Sequence, residues 1–155
     1  MRIIAIDTAT KTGWATIDGG RVVESGVQDF TRRRGESTGM LFLKFRKWLT
    51  ELVEAFPPDV VVYEQSHHRG GAATEIGVNL TGRVQEIATE NGLEYASVHT
   101  SSLKKWVTGS GTASKADMIE AAKEVLGRDP IDDNEADAVH IGMWATSNYD
   151  AKSTW

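Results

Sequence analysis

The sequence predicts an α/β domain built on a five-stranded mixed sheet with flanking helices, and three observations carry that prediction. Residues 2–29 hold three strand-like runs in succession, the mark of an antiparallel meander. Beyond a helical stretch, the unbroken run Asp59-Val60-Val61-Val62-Tyr63-Glu64 suits a central parallel strand covered on both faces. Helix and strand patterns then alternate, as they do where helices flank a sheet.

Arg2-Ile3-Ile4-Ala5-Ile6-Asp7 is the first strand. Gly13 to Ile17 and Val22 to Asp29 are the next two, joined by Asp18-Gly19-Gly20, a favourable hairpin turn. After the polar, basic segment 31–37, which contains Arg32-Arg33-Arg34, residues Leu41, Phe45, Trp48, Leu49, Leu52, Val53 and Phe56 recur at helical spacing over 38–56. Pro57-Pro58 ends that helix, and the fourth strand follows over 59–64. A second helix over 72–91 carries Ala73, Ile76, Leu80, Val84 and Ile87 and stops at Asn91-Gly92. Leu93 to Val98 reads as the fifth strand, Ser114 to Leu126 as a helix, and Asn134 to Ser147 as the last helix, opened by the cap-rich loop Pro130-Ile131-Asp132-Asp133-Asn134-Glu135. The first and fourth strands are expected side by side and parallel. The chain of 155 residues has room for one domain, expected over 1–150, with 151–155 as a polar tail.

Composition excludes several function classes. No cysteine is present, which rules out disulfides, thiolate catalysis and zinc-finger sites, so any metal is held by oxygen or imidazole. A net charge of −5 argues against nonspecific coating of nucleic acid, though Lys44, Arg46 and Lys47 and Lys104, Lys105 and Lys115 form local basic groups. No apolar stretch reaches membrane-spanning length, and the N-terminal run meets an acid too early for a signal peptide, so a cytoplasmic protein is expected.

Chemistry enters through the acids. Asp7 and Glu64 each end an apolar run, and Asp137 lies in an apolar helix. A carboxylate beside buried β-branched residues loses hydration worth several kcal/mol unless a cation, hydrogen bonds or a shifted pKa compensates. Ligands in such sheets collect at the carboxyl ends of strands, so the three acids point to a shared metal, and oxygen ligands favour magnesium or manganese. Asp137 also heads a helical stripe of His140, Ile141 and Trp144 expected to face inward. Trp14, Trp48, Trp106 and Trp144 read first as packing residues, and Glu135 as a helix cap. Gly77 and Gly82, with Ala73, mark a face of the second helix that something should approach closely, either within the chain or from a second subunit.

Ile-Asp ending the first strand, Tyr-Glu-Gln ending the fourth and Asn-Glu-Ala-Asp-Ala opening the last helix resemble the ribonuclease H-like nucleases, specifically the RuvC-type Holliday-junction resolvases. Leu103-Lys104-Lys105-Trp106-Val107-Thr108-Gly109-Ser110-Gly111-Thr112-Ala113-Ser114-Lys115 resembles that family's Val-Lys-x-x-x-x-Gly-x-Gly-x-Ala-x-Lys segment at matching spacing. The resemblance runs nearly end to end and implies a ribonuclease H-like fold and a bacterial enzyme of DNA recombination and repair. Its implied activity is metal-dependent nicking of four-way junctions, by a homodimer joined through the helix at 72–91. It further implies two magnesium ions, with manganese as substitute, held by Asp7, Glu64 and Asp137 and one further ligand, and DNA contacts from Lys104 and Lys115, with Lys105 beside them. Lys115 would also neutralise charge developing on the phosphate, which places it among the catalytic residues with the three acids.

The chain departs from the family pattern at three places. Asp-Pro-Gly after the first strand is Asp7-Thr8-Ala9 here. The fourth ligand position, three residues before Asp137, is Asn134; Asp133, four residues before it, is the alternative, and both stay open. The aromatic residue that resembling enzymes insert into the junction falls on His67, and the basic loop of His67, His68 and Arg69 before Gly70-Gly71 is closer to small phage-type members. Two other readings compete: a related nuclease acting on other branched DNA or on RNA, and an inactive nucleic-acid-binding module.

Overall fold

The structure is a computed structural model that describes residues 1–65 and 71–149; His67, His68, Arg69 and the tail 151–155 lie outside the described residues. Its elements run β1 (Arg2–Asp7), β2 (Lys11–Asp18), β3 (Arg21–Asp29), α1 (Thr38–Ala55), β4 (Val60–Glu64), α2 (Ala72–Glu90), β5 (Glu94–Val98), α3 (Thr100–Thr108), α4 (Lys115–Leu126) and α5 (Asp133–Asn148). The five strands form one sheet in the order β3-β2-β1-β4-β5. β1 pairs antiparallel with β2 and parallel with β4, as expected, and β4 pairs parallel with β5. Gly19 and Gly20 both take positive φ, 59° and 81°, in the turn between β2 and β3, where residues with a Cβ would be strained.

Side chains of β1 alternate between two cores, which explains why the run has no polar break. Ile4 and Ile6 join Val61 and Tyr63 under Leu41, Phe45 and Leu49 of α1 and Leu80, Val84 and Ile87 of α2. Ile3 and Ala5 join Ala15, Ile17, Val60 and Val62 under Leu103, Met118, Val139 and Ile141 of the last three helices. Each fully buried aliphatic side chain contributes about 1.5–3 kcal/mol.

α5 is buried along most of its length and lies hard against the sheet. Two glycines permit this. A Cβ on Gly142 would stand 2.6 Å from Ile17 Cγ1, and one on Gly13 would stand 1.8 Å from the Asn134 carbonyl oxygen. Gly13 is also the cross-strand partner of Asp7. The missing side chain therefore brings the first turn of α5 down onto the end of β1.

Three expectations change. α3 is a helix where the sequence pattern predicts no element; its buried Leu103, with Val107 one turn on, packs it, and Gly109 in the left-handed conformation (φ 86°) ends it. Trp106 is no packing residue: it is 43% exposed on that helix, because the buried stripe passes through Leu103 instead. A Cβ on Gly82 would meet nothing within 4 Å among the described residues, so packing against those residues does not account for that glycine.

Candidate metal centre

Asp7 is the last residue of β1 and Glu64 the last of β4, each one step beyond the paired residues Ile6 and Tyr63. Parallel pairing thus puts the two carboxylates side by side at one end of the sheet. Asp137 arrives from the second turn of α5. One carboxylate oxygen from each of Asp7, Glu64 and Asp137 can be chosen so that all three lie within 4.8 Å of one another.

The electrostatics of this cluster are unfavourable without a cation. Burial, then repulsion from Asp137 and Glu64, pushes the Asp7 carboxyl well above its ordinary value. Burial, then repulsion from Glu64 and Asp133, raises Asp137 to about 7, although Lys104 and Lys115 pull the other way. Carboxylates that converge this closely without a neutralising partner among themselves are a donor set suited to a hard divalent cation.

Two open clefts flank the cluster and share Glu64. One, of about 310 Å³, is lined by Glu64, Thr100, Lys104, Lys115, Met118, Asp133 and Asp137. The other, of about 250 Å³, is bounded by Asp7, Thr8, Glu64, Gln65 and the small residues Ala73, Thr74 and Gly77 of α2. Of the described residues that line the two clefts, the basic ones, Lys104 and Lys115, stand in the first.

The remaining expected residues separate clearly. Asp133 lines the lysine cleft, and its carboxylate lies 3.5 Å from the Lys115 ammonium. Asn134 turns its amide to donate to the Asp132 carboxylate at 3.3 Å, away from that cleft. Lys104 is half-buried and lines the cleft, one turn beyond Thr100 on the same helical face. Lys115 is 84% exposed as the first residue of α4, whose N-terminus is closed by the reciprocal capping box of Ser114 and Asp117. A cation at the positive end of a helix dipole gains nothing from the helix itself. Lys105 is exposed and absent from the cleft lining.

Two features of the site were not legible in the sequence. Thr100 donates its hydroxyl to Glu64 Oε1. Glu135 reaches back, as its cap position predicts, to accept from the Ile131 N–H at 2.6 Å, but it is also fully buried and accepts hydrogen bonds from Arg128 and from the Ser25 hydroxyl at 2.8 Å. Burial pushes the Glu135 carboxyl up, but these donors outweigh it and hold the group below its ordinary value. The pair ties the loop before α5 to β3, while Asp132 caps the helix by accepting from the Glu135 N–H at 2.9 Å. His140, buried one turn below Asp137, lies with Nε2 2.8 Å from the Met118 carbonyl. A carbonyl only accepts, so Nε2 carries the proton.

No family model matches the chain. Comparison with known proteins finds a protein of Clavibacter michiganensis subsp. michiganensis named crossover junction endodeoxyribonuclease RuvC, 31% identical over 152 residues, spanning 94% of this chain and 75% of that protein. A protein of the same name from Prochlorococcus marinus subsp. pastoris is 27% identical over 150 residues, 92% of this chain and 94% of its own length. Among solved structures, Thermus thermophilus RuvC in complex with Holliday junction substrate superposes with a TM-score of 0.79 at 21% identity, covering 92% of this chain and 91% of that one. That likeness shows the fold.

Proposed function

Because the chain belongs to the RuvC family of crossover junction endodeoxyribonucleases, we propose that it resolves four-way DNA junctions, with a divalent-metal centre held by Asp7, Glu64, Asp137 and Asp133. The convergence of three carboxylates from β1, β4 and α5 within 4.8 Å carries this reading. Asp133 is preferred to Asn134 as fourth ligand because it lines the shared cleft while the Asn134 amide is engaged by Asp132. Bound there, one or two magnesium ions would supply a deprotonated water for attack and charge stabilisation at the leaving 3′-oxygen.

The chain's own residues do the rest. Lys104 and Lys115 meet the phosphate from one side of the acids and offset its charge, with Lys115 free to leave Asp133 for a phosphate oxygen. Lys105 contacts backbone farther out. The second cleft, where Asp7 and Glu64 face the small residues Ala73, Thr74 and Gly77, leaves room for the neighbouring nucleotide. Two copies joined through α2 would present two such centres to a two-fold symmetric junction; Gly82, whose Cβ would meet nothing within 4 Å among the described residues, and the 37% exposed Val78 support α2 as that contact.

The test is a labelled four-way junction and a matched linear duplex incubated with magnesium or chelator, with Asp7→Asn alongside. Paired nicks near the crossover that need metal and vanish in Asp7→Asn are expected. Equal cutting of the duplex would overturn junction selectivity, and binding without cutting would overturn the nuclease. Light scattering of the free protein should give a dimer, reduced to a monomer by Gly82→Leu.

A further inference from the structure

We infer that Thr100 is a positioning residue for Glu64, holding one of its oxygens so that the other faces Asp7 and Asp137; the inference rests on the metal-centre reading above. Glu64 borders both clefts and is half-buried at a strand end. Repulsion by the other two acids favours swinging it away from them, and Lys104 in the same cleft would attract it. The Thr100 hydroxyl opposes both by occupying Oε1.

The donor's chemistry matters as much as its place. A neutral hydroxyl fixes the carboxylate without cancelling its charge, whereas a lysine in the same position would compete with the cation. Hydrogen-bond donors behind metal-ligating carboxylates act in this way and are worth about 10–100-fold in metal affinity.

The scaffold explains why Thr100 can do this. Glu64 pairs directly with Val98 across β4 and β5, and the Gln65 N–H donates to the Val98 carbonyl at 2.9 Å. Thr100 follows two residues later as the first residue of α3, and its β-branched side chain has few rotamers. The hydroxyl therefore comes from a point already tied to the strand that carries its acceptor. Lys104 lies on the same face of α3, so one helix mounts both the support for Glu64 and a phosphate-facing lysine.

Manganese binding to the DNA-free protein, read by the electron paramagnetic resonance signal of the free ion, tests this with wild type, Asp7→Asn, Thr100→Val, Thr100→Ala and Thr100→Ser. Melts in chelator report that each variant is folded, and Thr100→Ala serves if Val does not pack. Loss of affinity by about 10–100-fold in the hydroxyl-deleting variants, with Ser within about threefold of wild type, is expected. If Thr100→Val or Thr100→Ala binds as wild type does while Asp7→Asn does not bind, the positioning role is overturned and the metal centre stands. If wild type binds no better than Asp7→Asn, the metal centre falls and the role of Thr100 with it.

Discussion

Replacing Asp137 by Asn should stabilise the metal-free protein at alkaline pH while abolishing its activity. Its carboxyl is raised from 3.8 to about 7 by burial and by repulsion from Glu64 and Asp133. At about 1.4 kcal/mol per pH unit, that displacement corresponds to an upper limit of roughly 4 kcal/mol. Relaxation of the cluster and residual solvent access reduce it, so a gain of about 2 kcal/mol is expected for the variant at pH 8.5. The sign follows from proton counts. Below the unfolded value near 4 both states hold the proton; between there and about 7 only the folded state does, so the wild type loses stability as pH rises from about 4 to about 7 and levels off above that. Urea unfolding in chelator at pH 5 and pH 8.5 measures this. The variant should exceed wild type only slightly at the lower pH, just above the unfolded value, and by the full amount at the higher. Added magnesium should then stabilise wild type alone and reverse the order. A variant no more stable than wild type at pH 8.5 in chelator would refute the electrostatic reasoning.

Three further outcomes are expected. Gly13→Ala places a methyl group 1.8 Å from the Asn134 carbonyl, so α5 must lift; a loss of about 2–3 kcal/mol in urea unfolding and a fall of about 100-fold in junction cleavage should follow. Arg128→Met strips the fully buried Glu135 of its cation and should cost about 3–5 kcal/mol, whereas the double change Arg128→Met with Glu135→Gln should recover part of that loss. Lys115→Ala, at a side chain 84% exposed, should leave the melting temperature within about 1 °C yet weaken junction binding and flatten its salt dependence, as removal of one phosphate contact does.

The acids were legible because a strand end is a poor place for a carboxylate without a partner: Asp7 and Glu64 each follow a run of residues that the fold buries completely. Parallel pairing of β1 and β4 was legible from the Val run, and α5 from its apolar face. α3 was not, since His99 caps it with no side-chain bond and its first turn, Thr100-Ser101-Ser102, is polar; Leu103 with Val107 and the closing Gly109 were the available signal. Glu135 carries a helix-cap pattern, and nothing local shows that Arg128 folds back across the loop to it. The Thr100 hydrogen bond depends on β5 lying beside β4, which spacing along the chain does not encode. Asp133 and Asn134 separated only when the first turn of α5 showed which of them faces the cleft.

The sheet order has a kinetic consequence. β1 is made before β4, which must insert beside it, and Asp137 comes only with α5, made after both. Contacts so distant along the chain are slow to form. A chain caught before α5 docks has Asp7 but not its companions, so nascent or half-folded protein cannot cut DNA. Competence to break the genome is thereby withheld until α5 has been made and has docked, with no inhibitor needed.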